Sequence, residues 1–376
     1  MAEAEAPRDF RLGEGGLLHR IERRVHVTRL LPQLATTIAI AWLPLILLGL
    51  ATELLYHRRE PLIRDISVHV RLLIAAPVFV AIDRWFPSGC RNALARLVGE
   101  SFVQPADEPR FDRIVRRARH LTDSMVPEIM LALLAFVIGV CGVLGVVPIG
   151  GLGLDGRPSA SQLWYGVAAW PFFQFLLWRS LWRWLVWTGI LFAISRMDLA
   201  LVPSHPDKRG GITFLSQPSV SYCALLLFAV SSVLSAEWAE KITIPNIENL
   251  DILMVAYVVA AALFAFGPLL PFALMLERAR NAGLDRYGRM GTAYARELAA
   301  EHASEERAAV GPDRLAFMTI IFNQNVDPMR NVLFDRRDVV VLLMATLLPV
   351  VPVVLAEIPK EDWAALLRIV TGARLH

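Results

Sequence analysis

Seven stretches of this chain are apolar for so long that water is the wrong solvent for them. They cover residues 30–55, 66–82, 126–149, 163–194, 218–238, 250–276 and 339–358. Spanning a hydrocarbon core takes about 20 mostly apolar residues in a helix. Backbone polar groups in that core must bond to one another, which leaves the helix as the solution for single runs. The whole chain agrees: 55% of its 376 residues are hydrophobic and 19% charged, against about a quarter charged in soluble domains. The expected fold class is an all-α integral membrane protein with about seven (six to seven) transmembrane helices plus cytoplasmic amphipathic helices. The short second run opens with His69 and Arg71, and Pro349 and Pro352 interrupt the last, which could be re-entrant.

Arginine placement orients the bundle, because cytoplasmic loops carry the excess of Lys and Arg. With the N-terminus inside, most of the 38 Lys and Arg residues fall on the cytoplasmic side. The opposite side holds Arg58, Arg59, Arg64, Arg157, Lys241, Lys360, Arg368 and Arg374. Arg71, Arg179 and Arg183 lie within runs. Arginine far outnumbers lysine and alanine is abundant, the signature of a GC-rich bacterial genome. The expected location is therefore a bacterial inner membrane, with a cytoplasmic N-terminus and a retained first span.

The expected organisation runs as follows. Residues 1–29 form a cytoplasmic N-terminal segment and 30–82 the first two spans. Residues 83–125 form an amphipathic helical hairpin, in which Leu94, Leu97, Phe111, Val115 and Ala118 keep a helical period. Spans three to six occupy 126–276, with a loop at 195–217. A cytoplasmic helical insertion fills 277–337, broken near Gly283 and Gly288, with an apolar FMTIIF stretch expected to dock on the bundle. Residues 338–376 hold the last apolar segment and an interfacial helix bearing Trp363, Leu366, Leu367 and Val370.

Few residues offer chemistry. Cys90, Cys141 and Cys223 are odd in number and widely spaced, which excludes a disulfide framework and a cysteine-based metal cluster. No HExxH or similar metal motif is present, and no cofactor is expected. The fourth run carries Trp164, Trp170, Trp178, Trp182, Trp184 and Trp187, with Arg179 and Arg183 four apart on one helical face. Ionisable groups within spans are functional candidates, so Arg179, Arg183 and Gln174 are candidates for an anion pathway. The alternative follows from rise per residue: Arg179 lies about 24 Å and Arg183 about 30 Å beyond Leu163. That places both at headgroup level, as anchors within an aromatic belt. The apolar stretch 184–194 must then be buried in a cytoplasmic core, or the helix must kink at Pro171.

Next comes a loop with His205-Pro206-Asp207 and Gly210-Gly211. A J-domain motif is excluded, since a membrane run precedes it. His205 and Asp207 could do acid–base work and the glycine pair could cradle an anion. The alternative is a Pro/Gly turn in which Asp207 bonds its own backbone. Arg71 is expected either to snorkel or to pair with Glu53 or Asp65, and Glu128 to form a salt bridge or cap.

The loop Asp198 to Gly211 reads Asp-Leu-x-Leu-Val-Pro-x-His-Pro-Asp-x-x-Gly-Gly. Following an Arg/Trp-rich span, it resembles a family of uncharacterised bacterial multi-pass inner-membrane proteins. The resemblance runs from Asp9-Phe10 to the closing ATLLPVVPVVLAEIP segment. It implies the membrane architecture and no activity.

The leading expectation is an oligomeric channel or transporter-like protein for an anionic or amphiphilic solute. Alternatives are a lipid-headgroup-binding protein or enzyme using the 205–207 loop, and a membrane scaffold or signalling partner. Expected partners are membrane lipids, with anionic headgroups at the cytoplasmic face, and further copies of the chain, but not nucleic acid.

Overall fold

The computed structural model describes residues 30–57, 59–146, 158–242, 250–303 and 312–353, and within them the chain is helical, apart from a single isolated β-bridge between Val103 and Leu199. Among the described residues, five helices are long and apolar enough to cross a membrane: Leu30–Tyr56, Ile66–Gly99, Glu108–Val143, Thr213–Ala239 and Ile252–Leu269. This architecture is compatible with a membrane protein. The expected seven is not reached, for two physical reasons. The fourth run is helical and packed, but its tryptophans and two arginines lower its mean hydropathy. The seventh begins as a helix, but part of it lies outside the described residues.

In chain order, α1 (Leu30–Ala41) and α2 (Leu43–Tyr56) are separated by a break at Trp42, just before Pro44. Helix α3 (Ile66–Gly99) is continuous through a π-turn at Arg71–Ala75. The first arm of the expected hairpin is thus the extension of the second span, not a separate helix. Ser101 at φ 58° reverses the chain, and α4 (Glu108–Asp123) returns with Phe111, Val115 and Ala118 buried and Arg113, Arg116 and Arg117 exposed. Ser124 caps α5 (Met125–Val143) by accepting from the Val126 amide.

Helix α6 starts as Ala160–Trp164, passes through a π-turn at Tyr165–Ala169 and continues as Trp170–Ile194. It is the central strut, packed by α3, α4 and α5. Gly139 of α5 permits the closest approach: a Cβ there would stand 2.3 Å from the Gly166 carbonyl oxygen. Helices α7 (Ser216–Ile242) and α8 (Leu250–Phe266) follow. The chain turns at Gly267–Leu269, so the sixth span ends earlier than its apolar run.

Helix α9 (Pro271–Ala303) runs unbroken through Gly283 and Gly288, where a break was expected. Each glycine is unfavourable by about 1 kcal/mol relative to alanine, too little to stop a helix of this length. Helix α10 (Pro312–Ile321) passes into a π-turn at Phe322–Val326, and α11 (Arg336–Leu347) follows a capping box at Asp335. Of the FMTIIF stretch, Phe317 and Ile320 are exposed and Met318, Ile321 and Phe322 half-buried, while Val326, Met329 and Leu333 beyond it are buried. The N-terminal segment 1–29 and the stripe at Trp363–Val370 lie outside the described residues.

The main core fills the arginine-rich end of the bundle. Trp184, Trp187, Ile190, Leu191 and Ile194 pack there against Phe86, Cys90, Leu94, Leu97, Phe111 and Val115. The apolar overrun of the fourth run is therefore a core helix, and no kink at Pro171 is needed to hide it.

Candidate functional site

Arg179 and Arg183 turn inward. Arg179 pairs with Asp83 of α3 and donates from Nε to Glu128 of α5 at 2.8 Å. Arg183 donates to Asp83 at Oδ1 (2.9 Å) and at the backbone carbonyl (3.1 Å). All four side chains are buried. Headgroup anchoring is thus corrected: the arginines face carboxylates within the bundle. Burying a charge is tolerable when it is paired and hydrogen-bonded, and here two cations meet two anions. Gln174 is half-buried and takes no part in the cluster. The aromatic belt is corrected likewise at Trp184 and Trp187, whereas Trp178 is exposed. Trp187 donates to Ser219 Oγ at 2.9 Å, and Trp184 stacks on Tyr222, whose hydroxyl donates to the Ser180 carbonyl.

At the other end, Arg71 is buried and does not snorkel. It pairs with Glu237 of α7, donates to the Tyr165 hydroxyl at 2.7 Å and lies 4.8 Å from the Trp170 ring centroid. Two π-turns meet here, since Arg71 and Tyr165 each open one. Glu53 instead pairs with Arg64. His69 accepts at Nδ1 from Trp42 Nε1 (3.0 Å), which leaves Nε2–H to donate to the Ile63 carbonyl at 2.8 Å.

The 205–207 loop serves itself. Asp207 accepts from the amides of Arg209 (2.9 Å), Gly211 (3.0 Å) and Thr213 (3.3 Å), and from the Thr213 hydroxyl (2.9 Å). His205 lies 2.9 Å from the same carboxylate. Burial alone would raise the Asp207 carboxyl. The Arg209 amide, His205, the Gly211 amide and Thr213 outweigh it and hold the group below its usual range. The anion cradled by the Gly210-Gly211 turn is the loop's own side chain. Gly211, at φ 94°, also leaves no room for a Cβ, which would stand 2.4 Å from Phe102 Cζ.

Arg209 locks this loop to the segment before α11. It donates to the carbonyls of Val332 (2.8 Å) and Phe334 (3.3 Å) and pairs with Asp335. Hydrogen bonding from Arg209 holds the Asp335 carboxyl below its usual range. Asn325 donates to the Ser204 carbonyl at 2.9 Å, and Pro203 abuts Gly283 of α9.

These contacts wall a cleft of about 1040 Å³ between residues 192–204 and one face of α9. On the α9 side the lining passes from Leu274 and Met275 through Arg278, Ala279 and Ala282 to Arg286 and Tyr287. The opposite wall contributes Phe192, Ser195, Arg196, Asp198 and Ser204. Arg196 lies over the Phe192 ring, 4.2 Å from its centroid. Arg278 and Arg286 are exposed and pair with no carboxylate among the described residues. The sequence places both arginines in the 277–337 helical insertion without singling out this face. The spacing Leu274, Arg278, Ala282, Arg286 at steps of four was the available signal. Among the described residues no group of three His, Cys, Asp or Glu side chains could hold a metal ion.

Compared with family models, with curated proteins and with solved structures, the chain matches none.

Proposed function

We propose that this is a membrane-embedded binding protein for an anionic amphiphile, which it holds in the cleft between α6 and α9. One observation carries the reading: the lining face of α9 changes from apolar at Leu274 and Met275 to cationic at Arg278 and Arg286. Those positions span 12 residues, about 18 Å at helical rise, enough for an apolar tail and a charged head. Basic pockets at the ends of membrane helices are a recognised way to hold anionic headgroups. The arginine-rich end, with the cleft, faces the cytoplasm of a bacterial cell by the positive-inside rule.

Conduction along Arg179 and Arg183 is the less supported reading, because Asp83 and Glu128 match their charge. Enzymatic use of His205 and Asp207 is also less supported, since the turn itself occupies the Asp207 carboxylate.

The test is native mass spectrometry of delipidated protein offered phosphatidylglycerol or phosphatidylcholine with the same acyl chains. The reading expects preferential binding of the anionic lipid, lost in an Arg278→Gln/Arg286→Gln variant that still folds. Equal retention of both lipids by the native protein and the variant would sink it.

A further inference from the structure

Resting on the cleft reading, we propose that the head the cleft takes carries two negative charges, a phosphomonoester or diphosphate on an apolar tail. Four ionisable groups of fixed sign line the cleft: Arg196, Arg278 and Arg286 against Asp198. Three positive charges against one negative leave a surplus of two. A phosphodiester head would neutralise half of that surplus, and a dianion all of it.

The buried arginines of this molecule leave no such surplus. Arg71, Arg179, Arg183 and Arg209 each meet a carboxylate. The cleft arginines do not, among the described residues, and Arg196 is steadied only by the Phe192 ring. A guanidinium stacked on a ring keeps its N–H edge open to a planar or tetrahedral oxyanion. Arg278 and Arg286 are two turns apart on one face, about 12 Å along the axis. Two separated anionic groups, or one phosphate bridged from both walls, fit that spacing. The Ser204 and Tyr287 hydroxyls add neutral donors to phosphate oxygens. Asp198 opposes a third negative charge, which limits the head to two.

The experiment uses the full chain in detergent micelles, with binding measured for three probes. They are phosphatidic acid, phosphatidylglycerol with identical acyl chains, and inorganic pyrophosphate. A phosphomonoester carries about −1.5 to −2 at neutral pH, with a second pKa near 6. Phosphatidic acid is expected to bind about tenfold tighter than phosphatidylglycerol at pH 7.5, a difference of about 1.4 kcal/mol. The gap should close as pH falls below about 6 and the second proton returns. Arg278→Gln and Arg286→Gln should each bring the two lipids toward parity, while Arg278→Lys keeps most of the preference. Asp198→Asn should tighten both lipids.

Equal affinity for the two lipids in the native protein overturns the dianion inference and leaves the cleft reading standing. Binding of neither lipid overturns the cleft reading itself. Pyrophosphate binding as tightly as phosphatidic acid would overturn the tail, making this a site for a soluble anion.

Discussion

Arg183 donates to Asp83 twice, to the carboxylate at 2.9 Å and to the backbone carbonyl at 3.1 Å, across 100 residues of sequence. The same carboxylate also meets Arg179, so one aspartate holds the inner ends of two arginines. Asp83→Asn is therefore expected to destabilise more than any other single change in the cluster. Breaking a buried pair by removing one partner costs about 3–5 kcal/mol. Removing Glu100 from its exposed i,i+4 pair with Arg96 should cost no more than about 0.5 kcal/mol. Thermal unfolding in detergent ranks the two, and similar midpoints would argue against a structural role for the cluster.

Helix α9 provides a paired test. A Cβ at Gly283 would stand 2.6 Å from Pro203 Cβ, whereas one at Gly288 meets nothing within 4 Å. Gly283→Ala must push the 198–204 wall away, an overpacking cost of about 1–3 kcal/mol. Gly288→Ala should stabilise the helix by up to about 1 kcal/mol. Limited proteolysis of the loop, read beside the melting midpoint, should move in opposite directions for the two variants.

What could be read from the sequence follows from what a residue decides locally. Apolar runs at 30–55, 126–149 and 218–238 declare helices because length and hydropathy suffice. The amphipathic period of Phe111, Val115 and Ala118 likewise identifies a buried face, and it is buried. The direction in which Arg179 points is not local. Its partners Asp83 and Glu128 lie 96 and 51 residues away, on two other helices, and only packing brings them together. Asp207 is an intermediate case. Its turn chemistry is legible within six residues, while the hold of Arg209 on Val332, Phe334 and Asp335 is not. The cleft was hidden because one of its walls is a loop and the other a helix that local glycine content suggested was broken.

Acid should open the loop. The folded Asp207 and Asp335 carboxyls sit below their usual range, so the folded state binds protons less readily there than the unfolded chain does. Their contribution to stability is fully present above the ordinary carboxylate value, near 4. It disappears as pH falls through the lower folded values. Backbone amides of Arg209, Gly211 and Thr213, which donate to Asp207, should lose hydrogen-exchange protection in that window. The helical amides around Leu94 and Leu191 should keep theirs. Protection unchanged at 209–213 down to acid unfolding would contradict the account of the turn.

Arg209 links the turn to the cleft and to the chain entering α11. Its guanidinium reaches two carbonyls and a carboxylate at once, a fork that a lysine ammonium cannot reproduce. Arg209→Lys keeps the charge but leaves at least one half-buried carbonyl without its donor, at a cost of about 1 kcal/mol. The residues freed are those behind the Asp198–Ser204 wall, because Asn325 holds the Ser204 carbonyl and the Arg330 amide donates to the Lys208 carbonyl at 2.8 Å. Arg278 and Arg286 lie on the facing helix and are untouched. Anionic lipid should therefore bind Arg209→Lys a fewfold more weakly, with its preference over zwitterionic lipid retained. Arg278→Gln should show the reverse, a lost preference with an unchanged melting midpoint. Should both variants behave alike in affinity and in melting, wall and charge would not be separable, and a cleft built from a positioned loop and a charged helix face would be wrong.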